Sequence, residues 1–184
     1  MIKTKEYADT NEMQINFKKT KVILFKPCTS IDFMPDLRLG DHELEVVEEM
    51  KLLGLIIRSD MTWVSNTDNM VQKANKRMWI LRRLKNLGAQ EDDMVDLYTK
   101  QVRSVLELAV PAWHGAITQV EMIAIERIQK SACHIILGGN YQSYKLAFNT
   151  LDLDTLQSRR ENCALILPGN RKNTLNFKSG SILQ

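Results

Sequence analysis

In the first sixty residues, hydrophobic residues occur in short runs and, around Leu44, at alternate positions, whereas after that they recur every three or four positions. The run Val22-Ile23-Leu24-Phe25 predicts a short strand over 21–26, because β-branched and aromatic residues favour strands. Leu44 and Val46 alternate with glutamates in a predicted hairpin that turns at Gly40-Asp41. The most apolar segment, 50–57, predicts a central strand, in which Gly54 is costly unless a backbone or a ligand comes close.

From Trp63 the apolar spacing becomes that of a helix. A first helix is predicted over 67–87, with Ser65 or Thr67 as its cap and Gly88 at its end. Its apolar stripe consists of Met70, Ala74, Met78, Leu81, Leu84 and Leu87.

Further helices follow with short links between them. A second is predicted from Glu91, where acids suit the positive end of the helix dipole, to a stop at Pro111. A third is predicted from Thr118 to Gly138, and two shorter ones at 143–149 and 155–163. Three helices with short links can pack as antiparallel neighbours in a bundle.

This succession predicts an α+β fold, with a small antiparallel β-sheet followed by an α-helical bundle. The sheet is predicted at 1–62, the three main helices at 63–140 and the two shorter helices at 141–165. A disordered tail is predicted at 166–184. The tail is predicted because periodicity is lost from Pro168. The sheet segment is thin for an independent domain, so we expect it to belong to a larger sheet.

Composition narrows the class of protein. The chain has 184 residues, of which 44% are hydrophobic, enough for a buried core, and its formal net charge of +3 does not by itself indicate a nucleic-acid binder. Cys28, Cys133 and Cys163 are odd in number and far apart, which favours a reducing compartment over a disulfide framework. No signal peptide or bilayer-spanning run is visible. We expect a soluble intracellular protein without a membrane partner, in the cytoplasm or the nucleus.

The predicted first helix is strongly basic, and no acid occurs between Asn69 and Gln90. Its cations, predicted to wrap around the side opposite the apolar stripe, are Lys73, Lys76, Arg77, Arg82, Arg83 and Lys85. Such a face suits a phosphate backbone, where Lys and Arg displace condensed counterions. Trp79 within the run can stack on a base or sugar, although a tryptophan taken alone is more often a core residue. A charge run is usually a solvated helix face, but the lack of interleaved acids favours nucleic-acid binding.

Other candidate sites give weaker signals. Four lysines flank the first strand, at positions Lys18, Lys19, Lys21 and Lys26. A lysine there either acts on a phosphate or protects an edge strand from pairing. The adjacent Cys133 and His134 point in different directions on a helix, so no metal site is predicted.

Six short segments occur in an order that is typical of one polymerase family. They are NFKKTKVILF at 16–25, MKLLGLII at 50–57, PAWH at 111–114, IERIQK at 125–130, YQSY at 141–144 and LQSRR at 156–160. The first two resemble a palm motif and the primer grip, the next two the thumb, and the last two the region beyond it. Over roughly 11–165 the chain therefore resembles the C-terminal part, end of palm plus thumb, of a reverse transcriptase from a non-LTR retrotransposon of the LINE or jockey-like kind.

This resemblance implies a parent enzyme that is an RNA-directed DNA polymerase, a nucleotidyltransferase that uses Mg²⁺ and an RNA/DNA template–primer duplex. It implies that Lys19 helps to protonate the pyrophosphate leaving group. It also implies that Leu53, Gly54 and Leu55 lie in the hairpin that grips the primer 3′ end, and that the basic helix tracks the duplex in the thumb.

The catalytic carboxylates of that family are not matched here. The family holds two Mg²⁺ ions with an upstream aspartate motif and a Tyr-x-Asp-Asp turn. Tyr7-Ala8-Asp9-Thr10 only imitates that turn, because Thr10 replaces the second aspartate. The fingers and the metal-holding palm would precede Met1. We therefore expect no cofactor in this chain, no complete catalytic site and no activity for the chain alone, with the missing palm and fingers portion as a potential partner.

Two other hypotheses stay open. A domesticated nucleic-acid-binding module would keep the basic thumb helix and need no metal, and its affinity would fall steeply with salt. An inert helical remnant would carry its cations only for solvation, and its apolar segment 50–57 would be an exposed liability.

Overall fold

A computed structural model describes residues 2–25, 37–39 and 42–165 of the chain. The chain divides into two compact units, Met1–Asn66 and Thr67–Gln184. All the described strands lie in the first unit, and the described part of the second is helical, so the fold class is α+β as predicted. The predicted turn at Gly40-Asp41, the side chains of Lys26 and Cys28, and the predicted tail 166–184 lie outside the described residues.

The described part of the first unit begins with a helix and continues through six short strands. Helix α1 spans Ile2–Thr10, and a single 3-10 turn spans Phe17–Lys19. The strands are β1 Lys21–Val22, β2 Arg38–Leu39, β3 His42–Glu43, β4 Glu45–Val46, β5 Glu49–Leu52 and β6 Leu55–Arg58. They pair as three separate ladders, with β1–β4 parallel and β2–β3 and β5–β6 antiparallel. The predicted antiparallel pairing is present in two ladders, but no described ladder has more than two strands.

The segment 50–57 is a β-hairpin, and the prediction of one central strand is wrong. Strands β5 and β6 pair antiparallel, with Leu52 opposite Leu55, so Leu53 and Gly54 form a two-residue turn. The φ angles of these two residues are +49° and +94°. Positive φ at both central residues matches the right-handed twist of the flanking strands, which is why such turns close tight hairpins. A hairpin is also what the resemblance implies for this segment.

Helix α2, Val64–Asn86, starts directly beside this hairpin. The Asn66 Oδ1 atom accepts a hydrogen bond of 3.1 Å from the Ile56 N–H, and the Ser65 hydroxyl donates one of 3.0 Å to Glu49. Because the helix begins at Val64, Ser65 and Thr67 lie within its first turn and do not precede it as caps. Gly88, with φ +76°, follows the helix end as predicted.

The second unit contains the rest of α2 and the remaining described helices. They are α3 Glu91–Leu97, a π-helical turn Tyr98–Arg103, α4 Ser104–Leu106, α5 Val110–Trp113, α6 Gln119–Leu137, α7 Tyr144–Leu151 and α8 Leu156–Leu165. The predicted second helix ends at Leu106 and does not reach Pro111. Pro111 lies in the first turn of α5, where its missing N–H costs nothing.

The core of the second unit is formed by the predicted apolar stripes. Met70, Ala74, Met78 and Leu81 of α2 are each at most 2% exposed. Leu87 was predicted to belong to this stripe but follows the last residue of the helix and is exposed. Helix α6 has the capping box that its sequence predicts, in which Thr118 and Glu121 satisfy each other's backbone N–H groups.

Candidate nucleic-acid interface

Helix α2 does not present its six predicted cations on one surface. The Lys85 ammonium is half-buried and donates a hydrogen bond of 2.7 Å to the Ile136 carbonyl near the end of α6. The Arg77 guanidinium is exposed but donates to the carbonyl of Gln101 in the π-helical turn. The prediction that all six cations wrap around the side opposite the apolar stripe is therefore wrong for Lys85. The Arg77 guanidinium remains exposed but takes part in a structural hydrogen bond.

Of the remaining cations, Lys76, Arg82 and Arg83 are exposed to solvent. Lys76, Trp79 and Arg83 follow one another at spacings of three and four residues, so they share one strip, called here the outer face of α2. All three are exposed, and Trp79 is 63% exposed. This exposure overturns the interpretation of Trp79, taken alone, as a core residue. Lys73 is half-buried beside this strip.

The outer face lacks acidic partners. Within the described ranges, no carboxylate oxygen lies within 4.0 Å of the side-chain nitrogens of Lys76, Arg82 or Arg83, since the ion pairs join other residues. Cations without internal partners keep their charge available for an external anion. The outer face is thus an unneutralised basic strip interrupted by one aromatic ring.

Helix α6 runs parallel to α2, the direction that three successive antiparallel helices imply for the first and the third. The Thr67 hydroxyl, near the start of α2, bonds to Glu121 near the start of α6 at 3.1 Å. Lys85, near the end of α2, bonds to Ile136 near the end of α6. Because both contacts pair start with start and end with end, the C-terminal halves of the two helices lie side by side.

An open cleft lies at these C-terminal halves. It is lined by Arg82, Lys130, Ser131, His134 and Ile135. Sequence reasoning placed Lys130 in a thumb-like segment but named neither it nor His134 as a site residue. The sequence could have shown that these two side chains lie together, because Lys130 and His134 are four residues apart and such positions share a helix face.

The lysines and the hairpin of the first unit occupy different environments. The Lys19 side chain is exposed at the end of the turn Phe17–Lys19. Lys21 forms an ion pair of 3.0 Å with Glu45, which lies opposite it on the neighbouring strand β4. At the tip of the β5–β6 hairpin Leu53 is 92% exposed, whereas Leu55 is buried.

The described residues do not fit a two-Mg²⁺ centre. Tyr7-Ala8-Asp9-Thr10 lies within α1 and not in a turn between strands. Among residues 2–25, 37–39 and 42–165, no group of three or more His, Cys, Asp or Glu side chains is placed to hold a metal ion. Burial raises the pKa of the Cys133 thiol to about 11, so this thiol stays protonated near neutral pH and is a poor metal ligand.

A buried polar cluster elsewhere in the second unit holds helices α7 and α8 against α6. The Tyr144 hydroxyl donates a hydrogen bond of 2.6 Å to Glu126 Oε1, which also accepts from the Leu156 N–H at 3.3 Å. Arg160 is 1% exposed, and burial lowers its pKa while the charge of Glu126 opposes that effect. This cluster is structural, because its charged groups face inward and away from solvent.

Comparisons of the chain with protein-family models, with curated proteins and with solved structures each find no match. Among the helices that the structure describes, none is long and apolar enough to cross a membrane. The charge and geometry of α2 and α6 are therefore the features from which a function can be proposed.

Proposed function

We propose that the helical unit binds a nucleic-acid duplex along the outer face of α2. One observation carries this proposal: the cations of that face are exposed and have no carboxylate partner within the described residues. Binding of phosphates by such cations releases the counterions condensed on the duplex, which is the main source of sequence-independent affinity.

The rigidity of α2 supports the same proposal. Its opposite side is packed into the core through Met70, Ala74, Met78 and Leu81. The outer-face cations therefore project from a fixed helix and lose less conformational freedom on binding than cations on a loop. Trp79 adds a flat aromatic surface between Lys76 and Arg83, and stacking on such a surface contributes about 1–3 kcal/mol per base.

The proposal extends to ancestry. The β5–β6 hairpin followed by the basic helix α2 has the order of primer grip and thumb that the resemblance implies. In that setting the chain is a part of the RNA-directed DNA polymerase of a non-LTR retrotransposon, and its partner is the template–primer duplex. Leu53 and Gly54 at the hairpin tip would then face the primer end, and Lys19 would retain the role that the resemblance implies.

Fluorescence anisotropy with a labelled RNA–DNA hybrid duplex tests the binding. We expect the Kd to rise steeply with KCl concentration, because the affinity depends on released counterions. Arg83→Ala should weaken binding and reduce the slope of log K against log salt by about 0.9, the value for one lost phosphate contact. Lys100→Ala is the matched control, since it removes the same charge from an exposed lysine that pairs with Asp96 at 2.7 Å.

The control separates a specific surface from net charge. Equal weakening by Arg83→Ala and Lys100→Ala would show that only overall charge matters and would overturn the assignment of the outer face. Binding that does not change with salt, or no binding by the wild-type chain, would overturn the proposed function itself.

A further inference from the structure

We infer that the cleft between the C-terminal halves of α2 and α6 is a second phosphate-binding site, which holds one backbone phosphate of the same duplex. This inference rests on the proposed function and adds a second helix, α6, to the surface that binds the duplex. The duplex would contact the outer face of α2 and then reach across to α6.

The parallel arrangement of α2 and α6 brings the donors together. The hydrogen bonds Thr67–Glu121 and Lys85–Ile136 set the relative position of the two helices at both ends. Arg82 is near the end of α2, and Lys130 and His134 are in the last two turns of α6. Antiparallel helices would place these side chains at opposite ends, so the cleft depends on the direction of α6.

The chemistry of the lining matches a phosphate. Arg82 and Lys130 supply positive charge, and the Ser131 hydroxyl and the His134 imidazole add hydrogen-bond donors. None of the residues that line the cleft is acidic, and the sequence has no acid between Arg127 and Leu151. A divalent cation or a cationic ligand would be repelled by this lining.

The position of His134 is supported by a second residue. Its ring lies 5.0 Å from the ring of Tyr141, centroid to centroid, at an interplanar angle of 56°. This contact restricts the imidazole on one side. The His134 side chain is nevertheless exposed, so a phosphate can reach it.

A different cause could account for cations at these positions. Positive side chains in the last turns of a helix are favourable because they oppose the negative end of its dipole. That effect acts on each helix separately and is the same for every cation near the helix end. It does not require cations from two helices to line one cleft, so the two explanations predict different results when single residues are changed.

The test compares two exposed cations of α6 that carry the same charge. Lys130 lines the cleft, whereas Arg127 lies one turn earlier on the same helix and does not. With the RNA–DNA hybrid duplex, we expect Lys130→Ala to lower the slope of log K against log salt by about 0.9 and Arg127→Ala to leave it unchanged. His134→Gln should weaken binding without unfolding the protein, checked by circular dichroism.

Combination with the α2 variant completes the test. In Lys130→Ala/Arg83→Ala we expect the two slope changes to add, because distant contacts act independently. If Arg83→Ala weakens binding but Lys130→Ala does not, or if Arg127→Ala equals Lys130→Ala, the cleft is not a phosphate site while the proposed function stands. If the wild-type chain does not bind the duplex, the proposed function and this inference both fail.

Discussion

Neighbouring cations on α2 have different roles because the helical period turns each one to a different side. Lys85 follows Leu81 by four residues and Met78 by seven, so it lies on the buried side and its ammonium reaches the Ile136 carbonyl. Arg83 is only two positions away but points to solvent. The difference between the two positions follows from the helical period and is therefore contained in the sequence. It was missed because the six cations were treated as one face.

Replacing Lys85 with alanine should lower the stability of the protein, whereas replacing Arg83 should hardly change it. Lys85→Ala removes a charged hydrogen bond to a backbone carbonyl and should lower the free energy of unfolding by about 1 kcal/mol, since the group is half-buried. Arg83→Ala should change it by less than about 0.5 kcal/mol, because exposed positions contribute little. Urea unfolding measures both. If Lys85→Ala were as stable as the wild type and bound duplex as weakly as Arg83→Ala, Lys85 would be a surface ligand after all.

The hairpin turn stores strain at Leu53. A leucine with φ +49° is in the left-handed region, which costs about 1 kcal/mol relative to a residue that tolerates it, and its side chain is 92% exposed. Leu53→Asn should therefore raise the urea midpoint by an amount equivalent to about 1 kcal/mol, because asparagine is favoured there. Leu52→Asn, in the adjacent strand, is the control and should not stabilise. A loss of stability in Leu53→Asn would mean that the leucine is held by a contact and not merely tolerated.

At the scale of elements, helices were easier to predict than strands. The ends of α6 follow from a capping box and from Gly138, which are local signals, and the stripe of α2 follows from its period. The strands are two to four residues long and pair between distant segments, such as β1 with β4. An alternating pattern that short contains no information on its partner, and the prediction of one strand over 50–57 failed because its turn contains a leucine.

The contacts that hold α6 beside α2 could not be predicted, although the parallel direction of the two helices follows from three antiparallel neighbours. These contacts join distant residues, Thr67 with Glu121 and Lys85 with Ile136. Each is an ordinary residue in its own helix, and nothing local indicates its partner. The outer face of α2 was therefore predictable from the sequence, whereas the cleft that it shares with α6 was not.

The attachment of α8 to α6 should depend on Glu126 more than on Arg160. Within the described ranges, the Arg160 guanidinium nitrogens have no hydrogen-bond partner, and neither has Glu126 Oε2. Glu126→Gln keeps an acceptor for Tyr144 but removes the acid with the largest charge effect on buried Arg160, leaving the smaller effects of Glu107 and Glu161. We therefore expect a loss of roughly 3 kcal/mol in the free energy of unfolding, measured by thermal or urea unfolding. Arg160→Met removes the desolvation cost and should be neutral or slightly stabilising.

The double variant separates charge from packing in this cluster. Glu126→Gln/Arg160→Met should recover most of the stability that Glu126→Gln loses, because the unpaired charge is then gone. If Arg160→Met alone were as damaging as Glu126→Gln, the guanidinium would be making contacts that outweigh its desolvation.

At the scale of the whole molecule, the boundary between the two units falls within helix α2. Helix α2 begins at Val64, within the first unit, and continues to Asn86 in the second. Its first turn is bonded to the β5–β6 hairpin through Ser65 and Asn66, and its later turns carry the outer face. The outer face is the surface that we propose for a duplex, whereas the described residues provide no set of ligands for the two metal ions of nucleotide addition.

We therefore expect binding without polymerisation. With a primed RNA template, deoxynucleotides and Mg²⁺, the purified chain should extend no primer above the level of a mock preparation, while the same preparation binds the duplex by anisotropy. Primer extension that is lost in Asp9→Asn would show that a catalytic centre forms after all and would contradict this expectation.

The exposure of Trp79 gives the protein an optical reporter of its own. Trp113 is completely enclosed, and Trp63 is half-buried, so Trp79 is the indole that a soluble quencher such as acrylamide reaches most readily. A molecule that covers the outer face should shield that indole and shift its emission, and Trp79→Phe should abolish the response. Unlabelled protein can thus report where on its surface a ligand lands, as well as whether one is bound.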